Sequence, residues 1–279
     1  MAERIIVGVA GGPVSDRAVD WAAARARARE ESLELIAVVG GAVGAVGEPS
    51  VLESATQAAH DMLDAQVARV GPGIPITTRV LTGNPVAHLI DASADAGLLV
   101  IGSDYRGPDH GPARGPHGTR IAAGAKCPVV VVPDVTQVGR SGIIVGLDGS
   151  PLSERALAFA ASEADRWGEP LTAISVWTPL SAPRNTLAVY PDMYLANMQA
   201  MTEEMQSLAL AGVSSDYPDL VVERVVVQGH PSQVINSRAA GARMIVLGTH
   251  GRGALARFLL GSVSHEVLER LVTVTAVVR

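Results

Sequence analysis

The stretch IIVGLDGSPLSERALAFAA, residues 143–161, has the pattern of a buried strand followed by a turn and a helix. Its first residues are mostly β-branched, its middle contains glycine and proline, and its last residues are rich in alanine. The stretch IIVGVAGGPVSDRAVDWAA, residues 5–23, aligns with it without a gap at a constant offset of 138 residues. This self-similarity predicts that the chain carries two copies of one structural unit.

The duplication continues along the chain and sets the size of the unit. The run LLVIGS, residues 98–103, matches MIVLGT, residues 244–249, at an offset of 146 residues. Each copy is therefore about 140 residues long, which suits a domain rather than a solenoid repeat. We predict one domain at residues 1–136 and a second at residues 141–279, with the polar segment 134–141 at their boundary.

Composition limits both the fold and the partners. Of the 279 residues, 48% are hydrophobic and only 3% aromatic, which favours β-branched sheets buried on both faces. The net charge is -6 and the basic residues are dispersed, so we expect no nucleic-acid partner. The N-terminus lacks a signal-peptide pattern and no apolar run approaches the roughly 18 residues that span a bilayer, so we expect no membrane partner. The single cysteine, Cys127, fits a cytoplasmic location.

In each copy, short apolar runs alternate with helical patterns. This alternation predicts an α/β fold made of two tandem, doubly wound, five-stranded parallel sheets. In the second copy we expect helices to begin near Ser153, Asp192, Pro231 and Ser262, with Ser153 and Ser262 as N-caps. Ligands of such folds bind beyond the carboxyl ends of the strands, where the strand order reverses. If the fourth strand returns beside the first, this crevice lies between those two strands.

Two loops of the second copy should face each other across the crevice. One contains Asp148, at the end of a buried strand, where a carboxylate is costly unless it is paired. Two interpretations of Asp148 stay open: a local Asx-turn or helix cap, or an acceptor for ribose hydroxyls and a contact to bound metal. The other loop is GTHGRGALARFLLGS, residues 248–262, whose glycines leave backbone N–H groups open to a phosphate.

The spacing of that loop is specific. Gly248, Gly251 and the pair Gly261-Ser262 resemble the ATP-binding signature G-x2-G-x9-G-[S/T] of the universal stress protein family. The similarity extends to residues 143–157 and covers both copies, so the chain resembles a tandem member of the family. The resemblance implies strand order 3-2-1-4-5, an adenine nucleotide alpha hydrolase-like fold, and ATP with Mg²⁺ in the crevice. The ATP-binding residues that it implies are Asp148, Ser150, Val176, Gly229, Gly248, Gly251, Arg252, Gly253, Gly261, Ser262 and Val263.

The first copy keeps the frame of the loop but has lost its binding groups. Tyr105 replaces the second signature glycine, Pro116 replaces the signature serine, and Ala10 replaces the aspartate that follows strand one. We therefore expect ATP to bind mainly in the second copy, at about one nucleotide per chain. An alternative is that the rearranged first loop binds a different anion through its own glycines and basic residues.

Three functions are compatible with this pattern. The first is an ATP-binding regulatory protein of the stress response. The second is a slow ATPase or nucleotidyl-transferring enzyme, for which His250 and Asp148 are the nearest candidates for a general base, although no catalytic residue or protein-ligated metal is predicted. The third is an assembly module that does not use the nucleotide. The apolar last strands of both copies should pair with each other as edge strands, and we expect a homodimer or higher self-association.

Overall fold

The computed structural model describes residues 4–40, 49–103, 117–179, 192–251 and 260–279. These residues form ten strands and eight α-helices, in the alternating order that the sequence predicts. The strands are β1 (Arg4–Val9), β2 (Ser32–Gly40), β3 (Ile76–Gly83), β4 (Leu98–Ser103), β5 (Val129–Pro133), β6 (Ile143–Gly146), β7 (Leu171–Trp177), β8 (Val222–Gln228), β9 (Met244–Gly248) and β10 (Val274–Val278). The helices are α1 (Gly12–Arg29), α2 (Pro49–Val70), α3 (Pro85–Ala92), α4 (His117–Gly124), α5 (Pro151–Trp167), α6 (Asp192–Asp216), α7 (Pro231–Arg238) and α8 (Ser262–Arg270).

All ten strands belong to one sheet. Its order is β3-β2-β1-β4-β5-β10-β9-β6-β7-β8, so each half has the order 3-2-1-4-5. Every pairing within a half is parallel. The predicted fold class is therefore confirmed, and in each half the order reverses between the first and the fourth strand.

The two halves join through their last strands. β5 and β10 pair antiparallel, with Ala276 opposite Val130 at the centre of the register. The two predicted edge strands thus pair with each other inside one chain, and β3 and β8 become the edges of the combined sheet. Pairing edge against edge removes two apolar strands from water, which is the physical reason for joining them.

Small residues let the first helix of each half lie close to its sheet. Ala22 in α1 and its equivalent Ala160 in α5 are fully buried. A Cβ built on Gly102 would lie 2.5 Å from Cγ1 of Val14, and one on Gly248 would lie 3.1 Å from the backbone of Leu152. Since this approach occurs in both halves, the glycine that ends the fourth strand has a packing role that is independent of any ligand.

Two predicted N-caps are wrong. Ser150, not Ser153, caps α5, and its Oγ accepts a hydrogen bond of 3.2 Å from the N–H of Ser153. Pro151 explains this start, because its fixed φ suits the first helical position and requires an extended residue before it. For α8 the N-cap is Gly261, which is extended, and Ser262 is already helical. The predicted helix starts near Asp192 and Pro231 are confirmed.

Among the helices that the structure describes, none has the length and apolar character required to cross a lipid bilayer.

Candidate functional site

A cleft of about 460 Å³ lies at the carboxyl ends of β6 and β9, where the strand order of the second half reverses. This volume is within the usual range for small-molecule and cofactor sites. The described residues that line it are Gly146, Leu147, Asp148, Ser153, Ile174, Val176, Pro231, Ile235, Leu247, Gly248, His250, Gly251, Gly261, Ser262, Val263 and Ser264. The structure thus brings together Asp148, Val176 and five of the predicted loop and helix residues: Gly248, Gly251, Gly261, Ser262 and Val263.

Asp148 and Gly251 face each other across the mouth of the cleft. The Oδ1 atom of Asp148 accepts a hydrogen bond of 3.0 Å from the N–H of Ser150, which forms the Asx-turn that the sequence left open. A Cβ on Gly251 would lie 2.3 Å from Oδ2 of Asp148, so only glycine fits there without displacing the carboxylate. One oxygen of Asp148 therefore holds the turn, and the other is directed to the loop side of the cleft.

The N-terminus of α8 opens into the same cleft. The N–H of Gly261 donates to the carbonyl of Thr249 at 2.7 Å, which closes the base of the glycine-rich loop. The hydroxyl of Ser264 donates to the carbonyl of Gly248 at 2.6 Å and ties the helix to the end of β9. Among the residues that the structure describes, no side chain caps this helix. Its first N–H groups and its dipole therefore favour an anion at this end of the cleft.

Val176 presents its backbone to the cleft at the end of β7. The carbonyl of Ile174 accepts from the N–H of Leu147, whereas the carbonyl of Trp177 accepts from the N–H of Gly229 on the opposite side. Because backbone groups alternate in direction along a strand, the N–H and C=O of Val176 point to the same side as those of Ile174. β6 ends at Gly146, which pairs with Ile174, so Val176 lies beyond the region of β7 that pairs with β6, although it pairs with Val227 of β8 on its other side.

His250 is the ionisable residue that the sequence did not place in the binding set. Its side chain is half-buried in the cleft, and its Nε2 atom is buried without a hydrogen-bond partner among the described residues. Burial, together with the positive charge of Arg279, lowers its pKa below the usual value for histidine. The imidazole is therefore neutral at pH 7.

Charge in the cleft is limited. Asp148 is the one carboxylate among the described lining residues, and none of these residues is lysine or arginine. Arg252 and Gly253, both predicted to bind the nucleotide, lie outside the described residues. An anion in the described part of the cleft would thus be held mainly by backbone N–H groups and the dipole of α8.

Two predicted residues do not line the cleft. Ser150 is buried and its hydroxyl is used as the cap of α5, so its side chain is directed to the helix. Gly229 lies beside Val176, at the end of the strand after β7, and does not reach the cleft wall. Sequence reasoning missed the apolar wall formed by Ile174, Ile235 and Leu247, whose signal was only the general apolar pattern of strands and helices.

The first half lacks the carboxylate that follows the first strand of the second half. Ala10 takes the place of Asp148, and its N–H donates instead to the hydroxyl of Ser15 at 3.0 Å. The N-cap of α1 is Gly11, which has no side-chain cap. Tyr105 and Pro116 lie outside the described residues. The turn after β1 therefore keeps its shape through Ser15 and offers no carboxylate.

These features define a class of protein: two doubly wound α/β halves in tandem, with a ligand-sized cleft at the switch point of the second half. The chain belongs to the universal stress protein family, whose family model matches residues 1–133 and 140–279. It is 32% identical over 291 aligned residues to universal stress protein Rv1996 of Mycobacterium tuberculosis, covering 95% of this chain and 91% of the relative. It is 31% identical to universal stress protein Rv2623 of the same organism, covering 99% and 96% of the two chains.

Solved structures agree on the fold. A universal stress protein from Archaeoglobus fulgidus superposes with a TM-score of 0.72 at 18% identity, covering 99% of this chain and 98% of the other. At this identity the likeness concerns the fold alone.

Proposed function

We propose that this chain is a regulatory protein that binds ATP, with Mg²⁺, in the cleft of its second half. The observation that carries the proposal is the facing of Asp148 and Gly251 beside the uncapped N-terminus of α8. A carboxylate, a bare backbone and a helix dipole occupy one 460 Å³ cleft. The carboxylate suits the hydroxyls of a ribose, and the bare backbone and the helix dipole suit negatively charged phosphates.

Each part of ATP has a group of suitable chemistry. Asp148 would accept hydrogen bonds from the ribose hydroxyls, since a carboxylate is a strong acceptor. The N–H and C=O of Val176 would pair with the edge of the adenine, against the apolar wall. The backbone of Gly251 and Gly261 and the first turn of α8, with the hydroxyl of Ser262, would hold the phosphates. Bound Mg²⁺ would supply charge neutralisation of the phosphates, which the described lining lacks.

The described lining favours binding over rapid chemistry. Asp148 and His250 are its ionisable side chains, and one oxygen of Asp148 is already used by the Asx-turn. Occupancy by a nucleotide would fix the turn after β6, the end of β9 and the start of α8 relative to one another. We infer that the presence or absence of a nucleotide in this cleft is the signal that the protein transmits in a stress response.

The experiment that tests the proposal is mass spectrometry of the purified chain for retained ATP or AMP, followed by titration of the stripped chain with ATP and Mg²⁺. We expect saturable binding that Asp148→Ala weakens by about 10- to 150-fold. A matched control is Asp95→Ala, which changes an aspartate of the first half. A chain that neither retains nucleotide nor binds it on titration would support a nucleotide-independent assembly module instead.

Slow hydrolysis of ATP is the second candidate function. It is considered because His250 lines the cleft and burial lowers the pKa of its imidazole, which keeps it neutral and able to accept a proton at pH 7. Turnover well above background that is lost in both His250→Gln and Asp148→Ala would support it. Turnover that is unchanged in His250→Gln would exclude His250 as the base.

We also propose self-association of the chain, as a homodimer, through the remaining sheet edges. β3 and β8 are the edges of the described sheet, and both carry consecutive exposed residues. Arg79 on β3 and Arg224 on β8 place charge on them, which limits indiscriminate pairing. Sedimentation velocity on the full chain tests the proposal, since a monomer at all concentrations would contradict it.

A further inference from the structure

The joint between the two halves has a strand part and a helix part. The strand part is nearly symmetric: Ala276 and Val130 are equivalent residues of the two copies, and they lie opposite each other at the centre of the β5–β10 register. Backbone hydrogen bonds and small apolar side chains form this part. It would accept two identical halves as well as it accepts two different ones.

The helix part of the joint is not symmetric. α1 and α5 approach each other on one face of the sheet, and the side chain of Arg25 makes an ion pair with that of Glu163. These two residues are equivalent in the two copies, since they are 138 positions apart in the gapless alignment of the two helices. Both side chains are buried, with 7% and 0% of their surface exposed. A pair of equivalent residues in contact lies on the approximate twofold axis that relates the halves.

Each of the two charges also has a partner within its own half. Arg25 Nε donates to Glu31 Oε2 at 3.1 Å, and Arg166 Nε donates to Glu163 Oε2 at 3.0 Å. The cross-axis pair is therefore not required to neutralise either charge. The pair instead sets a requirement on charge: the side chain that contacts Arg25 on the axis must be acidic.

The contacts that flank the axis are also asymmetric, because each uses a residue that its own half has and the other half lacks. Arg166 of α5 stacks over the ring of Trp21 at 5.9 Å, while the residue equivalent to Arg166 in α1 is alanine. Arg29 of α1 donates to the carbonyl of Ser162 at 2.9 Å, while the residue equivalent to Arg29 in α5 is Trp167. Two copies of the same half could not form both contacts.

We propose that the surface formed by α1 and α5 selects the partner of each half, accepting the opposite half of this chain and rejecting a second copy of the same half. Two first halves would place guanidinium against guanidinium on the axis, and two second halves would place carboxylate against carboxylate. Like charges held in contact away from water are strongly unfavourable. The pairing of β5 with β10 does not by itself distinguish the opposite half from a second copy of the same half. The partner that fits either half is thus a half with the opposite charge at the axial position.

The proposal is tested in the full chain by exchanging charges within each half. The variant Glu163→Arg with Arg166→Glu keeps an ion pair inside α5 but places arginine opposite Arg25. The variant Arg25→Glu with Glu31→Arg keeps the ion pair of the first half but places a carboxylate opposite Glu163. Combining all four substitutions restores opposite charges on the axis. Glu154→Arg, on the exposed first turn of α5, is the control for a charge change on the same helix.

The measurement is hydrogen exchange of the β5 and β10 amides, compared with those of β1 and β6 in the centre of each half. We expect each double variant to exchange at least about tenfold faster than the parent chain at the joint, and the quadruple variant to recover most of the protection. A quadruple variant that exchanges more slowly than both doubles supports the proposal even if the doubles unfold throughout. Doubles that behave like Glu154→Arg, or a quadruple that exchanges as fast as the doubles, would overturn it.

Discussion

Substitution of Gly251 by alanine is the sharpest perturbation of the proposed ATP site. The added Cβ would lie 2.3 Å from Oδ2 of Asp148, far inside van der Waals contact, while its distance of 3.5 Å to Cγ is an ordinary contact. The carboxylate must therefore rotate away or the loop must shift. Rotation breaks the 3.0 Å hydrogen bond from the N–H of Ser150 to Oδ1. The methyl group thus acts on ATP binding through Asp148, without removing any polar group.

The expected size of the effect follows from the group that is displaced. A hydrogen bond to a charged group contributes about 1.5–3 kcal/mol, which corresponds to about a 10- to 150-fold increase in the Kd for ATP. The bond from the N–H of Ser150 is made to the same carboxylate, so its loss would lower the free energy of unfolding by a similar amount, about 1.5–3 kcal/mol. We therefore expect both a weaker affinity for ATP and a lower thermal midpoint.

The assay is isothermal titration of the nucleotide-free chain with ATP and Mg²⁺, beside thermal unfolding of the same samples. Gly212→Ala is the matched control, because a Cβ on Gly212 meets no atom within 4 Å and the residue lies far along α6. A double-mutant cycle with Asp148→Ala completes the design. Once the carboxylate is absent, the methyl group at position 251 should cost little further affinity.

Two results would refute this reasoning. One is an affinity of Gly251→Ala equal to that of Gly212→Ala. The other is an equal loss from Gly251→Ala in the presence and in the absence of the Asp148 carboxylate, which would show that the methyl group acts elsewhere.

Three further predictions concern folding and pH. Ser150→Ala should lower the free energy of unfolding by about 1 kcal/mol through loss of the α5 cap, with an unchanged Kd for ATP; weaker binding would show that Ser150 contacts the ligand. Gly102→Ala should cost about 1–3 kcal/mol, because its Cβ would meet Val14 Cγ1 at 2.5 Å; a thermal midpoint equal to that of the parent would disprove the packing role. Burial lowers the pKa of His250 in the folded chain, so the unfolded chain takes up that proton at a higher pH. Stability should therefore fall as the pH drops below about 6.5, and His250→Gln should flatten this fall in urea titrations.

The sequence was sufficient to predict the overall fold, since the repeat carries its own internal evidence. The offset between residues 5–23 and 143–161 established the duplication, and the alternation of apolar runs with helical patterns established the parallel sheets. Strand order then placed Asp148 opposite Gly251, and the structure shows these two residues facing each other. The strand order itself was what the resemblance to the universal stress protein family implies, because the alternation of strands and helices leaves more than one parallel topology open.

Local capping and packing were harder to predict. Ser150, Ser153 and Ser262 are all acceptable N-caps by residue type, and only the backbone angles before Pro151 and after Gly261 decide between them. Gly248 belongs to the signature, yet its counterpart Gly102 shows the same close approach of the first helix. A motif of glycines therefore does not separate ligand contact from close helix approach.

The charge pair on the axis was visible in the alignment but could not be interpreted from it. Arg25 and Glu163 occupy the same position of α1 and α5 with opposite charge. A difference of this kind between two copies is ordinary on a solvated helix face. It gains meaning only once the antiparallel pairing of β5 and β10 places both residues on the axis and buries them.

The central claim is that the chain binds ATP in the cleft of its second half and not in its first half. Equilibrium titration of the stripped full chain with ATP and Mg²⁺, scored as moles of nucleotide per mole of chain, tests it most directly. We predict one ATP per chain, with a Kd that Asp148→Ala raises by about 10- to 150-fold. Two sites per chain would contradict the prediction that the first half binds no ATP, and none would contradict nucleotide binding by this protein.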